Sequence, residues 1–415
     1  MIELAPIDHA LLDGVYGAGA AHAMNLLVRY GKAIGATCFI TIQSAHIDGC
    51  LYHGPSSLDF VRGFISLGAK VRVPTTLNVA AVDVMHPDWN AGDPALIPAQ
   101  TELTTLHEAL GCHATLTCAP YHRIIRPLFG EHIAWAESNA IVFANSVLGA
   151  RTDRYGDFTD LCAAITGRVP YAGLHCDENR RAKLIVDVVP PAASDLPRDL
   201  YFAALGYCLG GVAADRVPLL SGLPADTTED ELKSLGAAAA SSGAIALFHV
   251  LGLTPEASTI AQATGTSASP PSISIDAASL RRAAQALCAV RPQDQVAAVC
   301  LGTPHFSIEE FRTLARLVEN RTRHPSVQVY VSTSREIAAS VLQGPDAAAI
   351  EGFGIKIVVD TCTYVAPMVC GKQGAILTNS AKFAHYGPGN LRRQVALLSL
   401  ERCIASAERG AVAPP

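Results

Sequence analysis

Between Val296 and Val359 the chain switches repeatedly between two hydrophobic periods. Val296–Cys300, Val327–Val331 and Lys356–Val359 are short apolar runs, whereas Ile308–Val318 and Arg335–Leu342 space their apolar residues three and four apart. Short continuous runs suit strands buried on both faces, and the striped segments suit helices laid across those faces. The rhythm extends through the chain. Strands or extended pieces are expected at Ala36–Ile42, Lys70–Val73, Ala114–Thr117, Lys183–Val189, Val217–Leu220 and Ala244–Val250. Helices are expected at Ser57–Leu67, Thr101–Leu110, Ile133–Val147, Leu200–Ala214, Glu229–Ser241 and Gln394–Glu408. This alternation implies an α/β architecture of several lobes with largely parallel sheets. Thr254–Ser274, rich in Thr, Ser, Ala and Pro, reads as an internal linker or lid, Pro190–Pro197 as a second boundary, and the tail after Arg409 as frayed.

Composition narrows the function classes. Half of the 415 residues are hydrophobic and only 16% are charged, which suits a large core and buried interface. A net charge of −6 without a basic block argues against a nucleic-acid partner. No apolar run approaches the roughly 18 residues of a membrane span, and no basic-then-apolar leader opens the chain. Twelve cysteines without regular spacing do not make a secreted disulfide framework, so a reducing cytoplasm is the expected setting. Walker A, HExxH and G-x-S-x-G motifs are absent, and Gly17-Ala18-Gly19 lacks the strand a dinucleotide fingerprint requires.

In parallel sheets, ligands bind beyond the carboxyl ends of the strands. Three cysteines fall at such expected ends: Cys118 in Thr117-Cys118-Ala119-Pro120, Cys300 in Val299-Cys300-Leu301-Gly302, and Cys362 in Asp360-Thr361-Cys362-Thr363. Thiolates converging there can hold an iron–sulfur cluster, although a lone cysteine is more often a small core residue. Ser44-Ala45-His46-Ile47-Asp48-Gly49 offers hydroxyl, imidazole and carboxylate for substrate binding or proton transfer, or else a polar turn. Thr75, Thr76 and Asn78 suit hydrogen bonding to a small hydroxylated acid, or helix capping. Glu137-Ser138-Asn139 and Asn145-Ser146 place polar groups on an apolar stretch, where burial demands partners. Arg151 and Arg154 can clamp a carboxylate or form surface ion pairs. Ser380, Lys382 and Tyr386 form a late polar cluster that acts on substrate or caps a loop, and His305 can orient a ligand or serve structure.

Together these segments resemble the large subunit of the aconitase X family, a branch of the aconitase superfamily. The resemblance rests on Ser44–Gly49, Gly68–Asn78, Thr117–Tyr121, Glu137–Ala140 with Asn145-Ser146, Asp360–Cys362 and Asn379–Lys382, and spans residues 36–390. It implies a hydro-lyase with an iron–sulfur cluster, acting on cis-3-hydroxy-L-proline in bacteria or (R)-5-phosphomevalonate in archaea. Asp48–Gly54 resembles the bacterial hydroxyproline enzymes more, and no phosphate loop is evident. The resemblance assigns iron ligation to Cys118 and Cys362. Where the archaeal pattern has a further cysteine this chain has Thr303, with Cys300 as the substitute, so a two-iron (2Fe–2S) centre is expected, with 3Fe–4S and 4Fe–4S as alternatives. Ser44, Asp48, Gly49, Thr75, Thr76, Asn78, Asn145 and Ser146 would bind substrate; His46, Lys382 and Ser380 would act on it. The whole of residues 1–415 is expected to be the catalytic large part. The small swivelling domain would come from a partner subunit that brings a serine base. A non-catalytic iron–sulfur subunit, and a metal-free α/β protein with core cysteines, are the competing readings.

Overall fold

The computed structural model describes residues 2–265, 270–369 and 373–414. Backbone contacts divide the chain into two compact units: Met1–Ala81 with Ala95–Arg181 and Thr254–Glu256, and Val82–Pro94 with Ala182–Leu253 and Ala257–Pro415.

The first unit is built on a short parallel sheet in the order Thr75–Leu77, Ala45–Ile47, Ala134–Trp135. An antiparallel pair, Phe39–Thr41 with Arg168–Pro170, accompanies it. The sequence led us to expect a strand at Lys70–Val73, followed by a loop. The strand instead begins at Thr75, because the amides of Val71 and Arg72 are already committed to the carbonyls of Leu110 and Ala164 at helix ends. The expected helix over Ile133–Val147 resolves into the strand Ala134–Trp135, the helix Ser138–Phe143 and a wide turn at Ala144–Leu148. Glu137 sets that boundary: its carboxylate accepts from the Ala140 amide at 2.7 Å and caps the helix. Gln100 pins the loop after Ile47, donating to the Cys50 carbonyl at 2.9 Å and accepting from the amides of Tyr52 and Ala81. Buried Arg168 makes a bidentate pair with Asp8.

The second unit holds two parallel sheets. One has the order Ile355–Val358, Gln328–Ser332, Val296–Leu301, Ala375–Thr378, Val395–Leu397; the other has His249–Val250, Pro218–Ser221, Leu184–Val188, Ser272–Ile275. Every residue of Val296–Leu301 is buried, as a central parallel strand requires. Its faces separate by the two-residue period: Val299 and Leu301 join one apolar cluster, Ala298 and Cys300 the other. The helices Ile308–Val318 and Arg335–Leu342 occupy their expected residues, with Ser307 and Ser334 accepting from backbone amides as N-caps. Gly302 follows the central strand with φ 83°, and a Cβ there would sit 2.1 Å from the Ser332 carbonyl oxygen, so only glycine lets the two strand ends approach so closely.

Three further expectations change. Gln394–Glu408 is not one helix: Val395–Leu397 pairs as an edge strand, and Ser399 caps a new helix at Leu400–Arg409. The expected linker Thr254–Ser274 contains the helix Ile260–Thr264 and the start of a paired strand at Ser272, while residues 266–269 lie outside the described residues. The tail is pinned rather than frayed, since the Val412 amide reaches Asp294 and the Ala413 amide reaches Ser406 Oγ at 2.9 Å. Among the described residues no helix is long and apolar enough to cross a membrane.

Candidate functional site

Strand register places the polar groups of the first unit in rows. His46 sits opposite Thr76 on one side and Trp135 on the other. Two residues later, just past the ends of the three strands, come Asp48, Asn78 and Glu137. The first row is joined by His46 Nδ1 and Thr76 Oγ1 at 2.8 Å, the second by Asn78 Nδ2 donating to Asp48 Oδ1. A fourth segment runs alongside: the His113 amide meets the Thr75 carbonyl, the Thr117 amide meets that of Leu77, and the chain then turns into Cys118. Asn139 Nδ2 donates to the Cys118 carbonyl at 3.0 Å and to Tyr121 at 2.8 Å, fixing the loop. Asp48, Asn78, Glu137 and Cys118 therefore gather at the carboxyl end of one small parallel sheet.

The electrostatics of this end are unusual. Burial pushes the Asp48 carboxyl up to about 7, reinforced by the carboxylates of Glu137 and Asp157 and opposed by the Asn78 amide. Burial likewise raises Asp160 to about 6, against the amides of Asp48 and Leu161 that it accepts. Burial pushes the His46 imidazole down to about 4 despite the nearby Glu137 carboxylate, so the ring is neutral at pH 7. Asn78 Oδ1 is buried without a hydrogen-bond partner, and His46 Nε2 is left only a contact with the Thr117 backbone outside normal hydrogen-bond geometry. A ligand hydrogen bond to Asn78 Oδ1 would recover the cost of leaving it unpaired.

The other expected residues of the first unit divide by use. Ser44 Oγ accepts from Trp135 Nε1 at 3.3 Å, and Thr75 Oγ1 donates to Val73, so both hold the sheet. The Gly49 amide points to Asp160. Asn145, expected at the substrate, spends its amide on Thr152 and accepts from Arg180, which is itself paired with Glu256. These bonds brace the turn at Ala144–Leu148, in which Ser146 is also buried. Arg151 is paired with Asp177, while Arg154 is exposed.

In the second unit the candidate residues again follow strand ends: Thr303 and His305 after Val296–Leu301, Cys362 after Ile355–Val358, Ser380 and Lys382 after Ala375–Thr378. The ligand atoms of His305 and Cys362 lie within 4.8 Å of each other, and both side chains are buried. The Cys362 loop is held from behind. Asp360, at φ 66°, makes a bidentate pair with Arg335 at 2.6 and 2.7 Å, and the Val359 amide donates to Asp83 at 3.1 Å. His305 Nε2 donates to the Thr361 carbonyl at 3.2 Å, which fixes the orientation of the ring. Ser380 caps the helix Ala381–Leu391 by accepting from Phe383 and donates to the Thr303 carbonyl. Lys382 lies buried in the first turn of that helix, and Tyr386 is exposed beside Tyr364.

Cys300 departs from the expectation. The strand runs one residue further than foreseen, leaving the Cys300 side chain on a core face among Ala298, Tyr330 and Phe383, where burial raises its thiol to about 12. His305, not Cys300, accompanies Cys362 in the group of metal-capable side chains. Within the second unit the chain thus offers the thiol of Cys362 and the imidazole of His305 side by side, donors suited to iron or zinc. Thr303 Oγ1, two residues before His305, is buried without a hydrogen-bond partner, which fits a bound group nearby. Asp160, Asp83, Arg335 and His305's role as a donor were missed by sequence reading. Only His305 carried a local signal, its place directly after a strand-end Pro304.

Comparison with known proteins gives a consistent picture. Residues 1–178 match the aconitase X first domain, 182–285 the second and 296–409 the third. The cis-3-hydroxy-L-proline dehydratase of Pseudomonas aeruginosa is 40% identical over 98% of this chain and 70% of that protein. The phosphomevalonate dehydratase large subunit of Thermococcus kodakarensis is 36% identical, over 91% of this chain and 93% of the relative. The crystal structure of aconitase X from Thermococcus kodakaraensis, in its holo-form, superposes with a TM-score of 0.86 at 33% identity, covering 98% of this chain and all of that one.

Proposed function

This chain belongs to the aconitase X family, and from that premise we propose that it dehydrates cis-3-hydroxy-L-proline to Δ1-pyrroline-2-carboxylate. It is a hydro-lyase, as its dehydratase relatives are. The observation that carries the reading is the unsatisfied buried atom Asn78 Oδ1, whose amide donates to an Asp48 carboxyl that burial raises to about 7. A hydroxylated imino acid has the hydroxyl, carboxylate and ring nitrogen to complete such a set. Elimination removes the α-proton and the 3-hydroxyl, and a group titrating near neutrality can hold or release a proton at working pH. Asp48 takes that proton-holding role. His46, neutral, orients substrate through Nε2, and Thr76 fixes its ring. Lys382 is a further candidate to act on substrate; Ser380 supports the Thr303 loop.

Cys118, His305 and Cys362 would hold an iron centre, a two-iron cluster being the form we favour. Bound there, iron would supply Lewis acidity for the departing hydroxide. A small subunit would bring the swivelling domain and a serine base. The large-subunit naming of several relatives supports a small-subunit partner.

The test is anaerobic co-expression with a candidate small subunit, iron quantification and turnover on two substrates in parallel. Turnover of cis-3-hydroxy-L-proline with bound iron is the expected result. Turnover of (R)-5-phosphomevalonate alone would transfer the assignment to the archaeal activity, and iron without turnover of either would remove the dehydratase reading.

A further inference from the structure

Lys233 is the most deeply buried cation among the described residues that the proposed chemistry does not use: its side chain is 1% exposed. It projects from the helix Glu229–Ser242. Its ammonium contacts Asp230 Oδ1 at 2.9 Å and Glu310 Oε2, and donates to the main-chain carbonyl of His305 at 3.3 Å. The two carboxylates are themselves tied to the chain just after His305. Ser307 Oγ donates to Asp230 at 2.6 Å, the Ser307 amide donates to Glu310 Oε2 at 2.8 Å, and the Glu310 amide returns to Ser307 Oγ at 3.2 Å. The knot therefore clamps residues 305–310 to a helix more than sixty positions earlier in sequence. The imidazole side of His305 is fixed independently, by Nε2 on the Thr361 carbonyl.

A buried ammonium with two carboxylates is a poor device for stability alone, because desolvating three charges offsets most of their attraction. It is a good device for position, since one cation with three directed bonds leaves the segment no second arrangement. Building on the ligand role proposed above for His305, we propose that Lys233 is a positioning residue that holds the His305 backbone so that its imidazole meets Cys362 in metal-binding geometry. Supports behind metal ligands commonly carry a tenfold or larger share of metal affinity.

The experiment loads wild type, Lys233→Met and Glu310→Gln with iron(II) anaerobically, then follows iron loss to a chromogenic chelator, alongside the unfolding midpoint of each metal-free protein. Glu310→Gln keeps the acceptor for Ser307 and the Lys233–Asp230 pair. A triple variant, Lys233→Met with Asp230→Asn and Glu310→Gln, strands no charge and serves if the single Lys233 variant does not fold. Expected is loss at least about tenfold faster from the variants lacking Lys233, with Glu310→Gln within about twofold of wild type. Wild-type retention without Lys233 would overturn the proposal. So would iron loss in all variants that simply tracks their unfolding midpoints, which marks a structural role only. Wild type that binds no iron at all would overturn the ligand reading, and this proposal with it.

Discussion

At the sheet end of the first unit, the polar side chains bond mainly to one another: His46 to Thr76, Asn78 to Asp48, Asp160 to the amides around Gly49. At the sheet ends of the second unit, the donor side chains His305 and Cys362 are held from behind by ion pairs, Arg335 with Asp360 and Lys233 with Asp230 and Glu310. The difference matches the roles proposed for the two regions. Groups that move protons need perturbed acidity, which burial and like charges supply. Groups that hold a metal need fixed direction, which charged hydrogen bonds anchored outside the site supply.

The sharpest way to break this contrast is Asp48→Asn. Turnover should fall about a hundredfold or more, while iron content stays at the wild-type level; loss of iron with turnover would erase the distinction. The same variant carries a pH signature. Asp48 keeps its proton up to about 7 in the folded chain, against a usual value of 3.8. Between these values the folded state binds more protons than the unfolded state, so this group makes stability fall as pH rises from about 4 to about 7. Asp48→Asn should lose less stability than wild type on going from about pH 5 to about pH 8, read from denaturant midpoints.

Next in size is Arg335→Met. Asp360 is fully buried and would be left unpaired, but Arg335 is 38% exposed, so the cost should be about 2 kcal/mol rather than the larger loss of a wholly buried pair. Iron retention should fall in the same protein. A stable variant with normal iron would show that the second unit does not depend on its anchors.

Ser380→Ala is a smaller and more discriminating change. As a helix cap it should cost about 1 kcal/mol and reduce turnover less than tenfold; a loss of about a hundredfold would restore to Ser380 a direct part in the reaction. The smallest effect belongs to Cys300→Val. It replaces a core thiol by an apolar group of similar volume, so stability should change by less than about 1.5 kcal/mol and iron content not at all. Iron loss here would return Cys300 to the ligand set.

Local order was legible wherever a segment carried its own signals. Ile308–Val318 and Arg335–Leu342 combine an amphipathic stripe with a serine cap, and both occur at the expected residues. Thr75–Leu77 carried no such signal: its residues suit a loop equally well, and only pairing with Ala45–Ile47 makes them a strand. For Asn145 and Ser380 the sequence shows polarity without partners; the structure gives them hydrogen bonds with Thr152, Arg180, Thr303 and Phe383.

Taken alone, the amino-acid order determined the α/β class, the parallel sheets and the strand-end location of the reactive residues, because hydrophobic period and strand-terminal chemistry are properties of neighbours in sequence. Tertiary structure decided the rest: that Asp48, Asn78 and Glu137 follow the ends of adjacent strands, that burial moves the acidity of Asp48 and His46, and that His305 rather than Cys300 accompanies Cys362. Each of these depends on register across strands or on the side of a strand a residue occupies, and a shift of one residue reverses it.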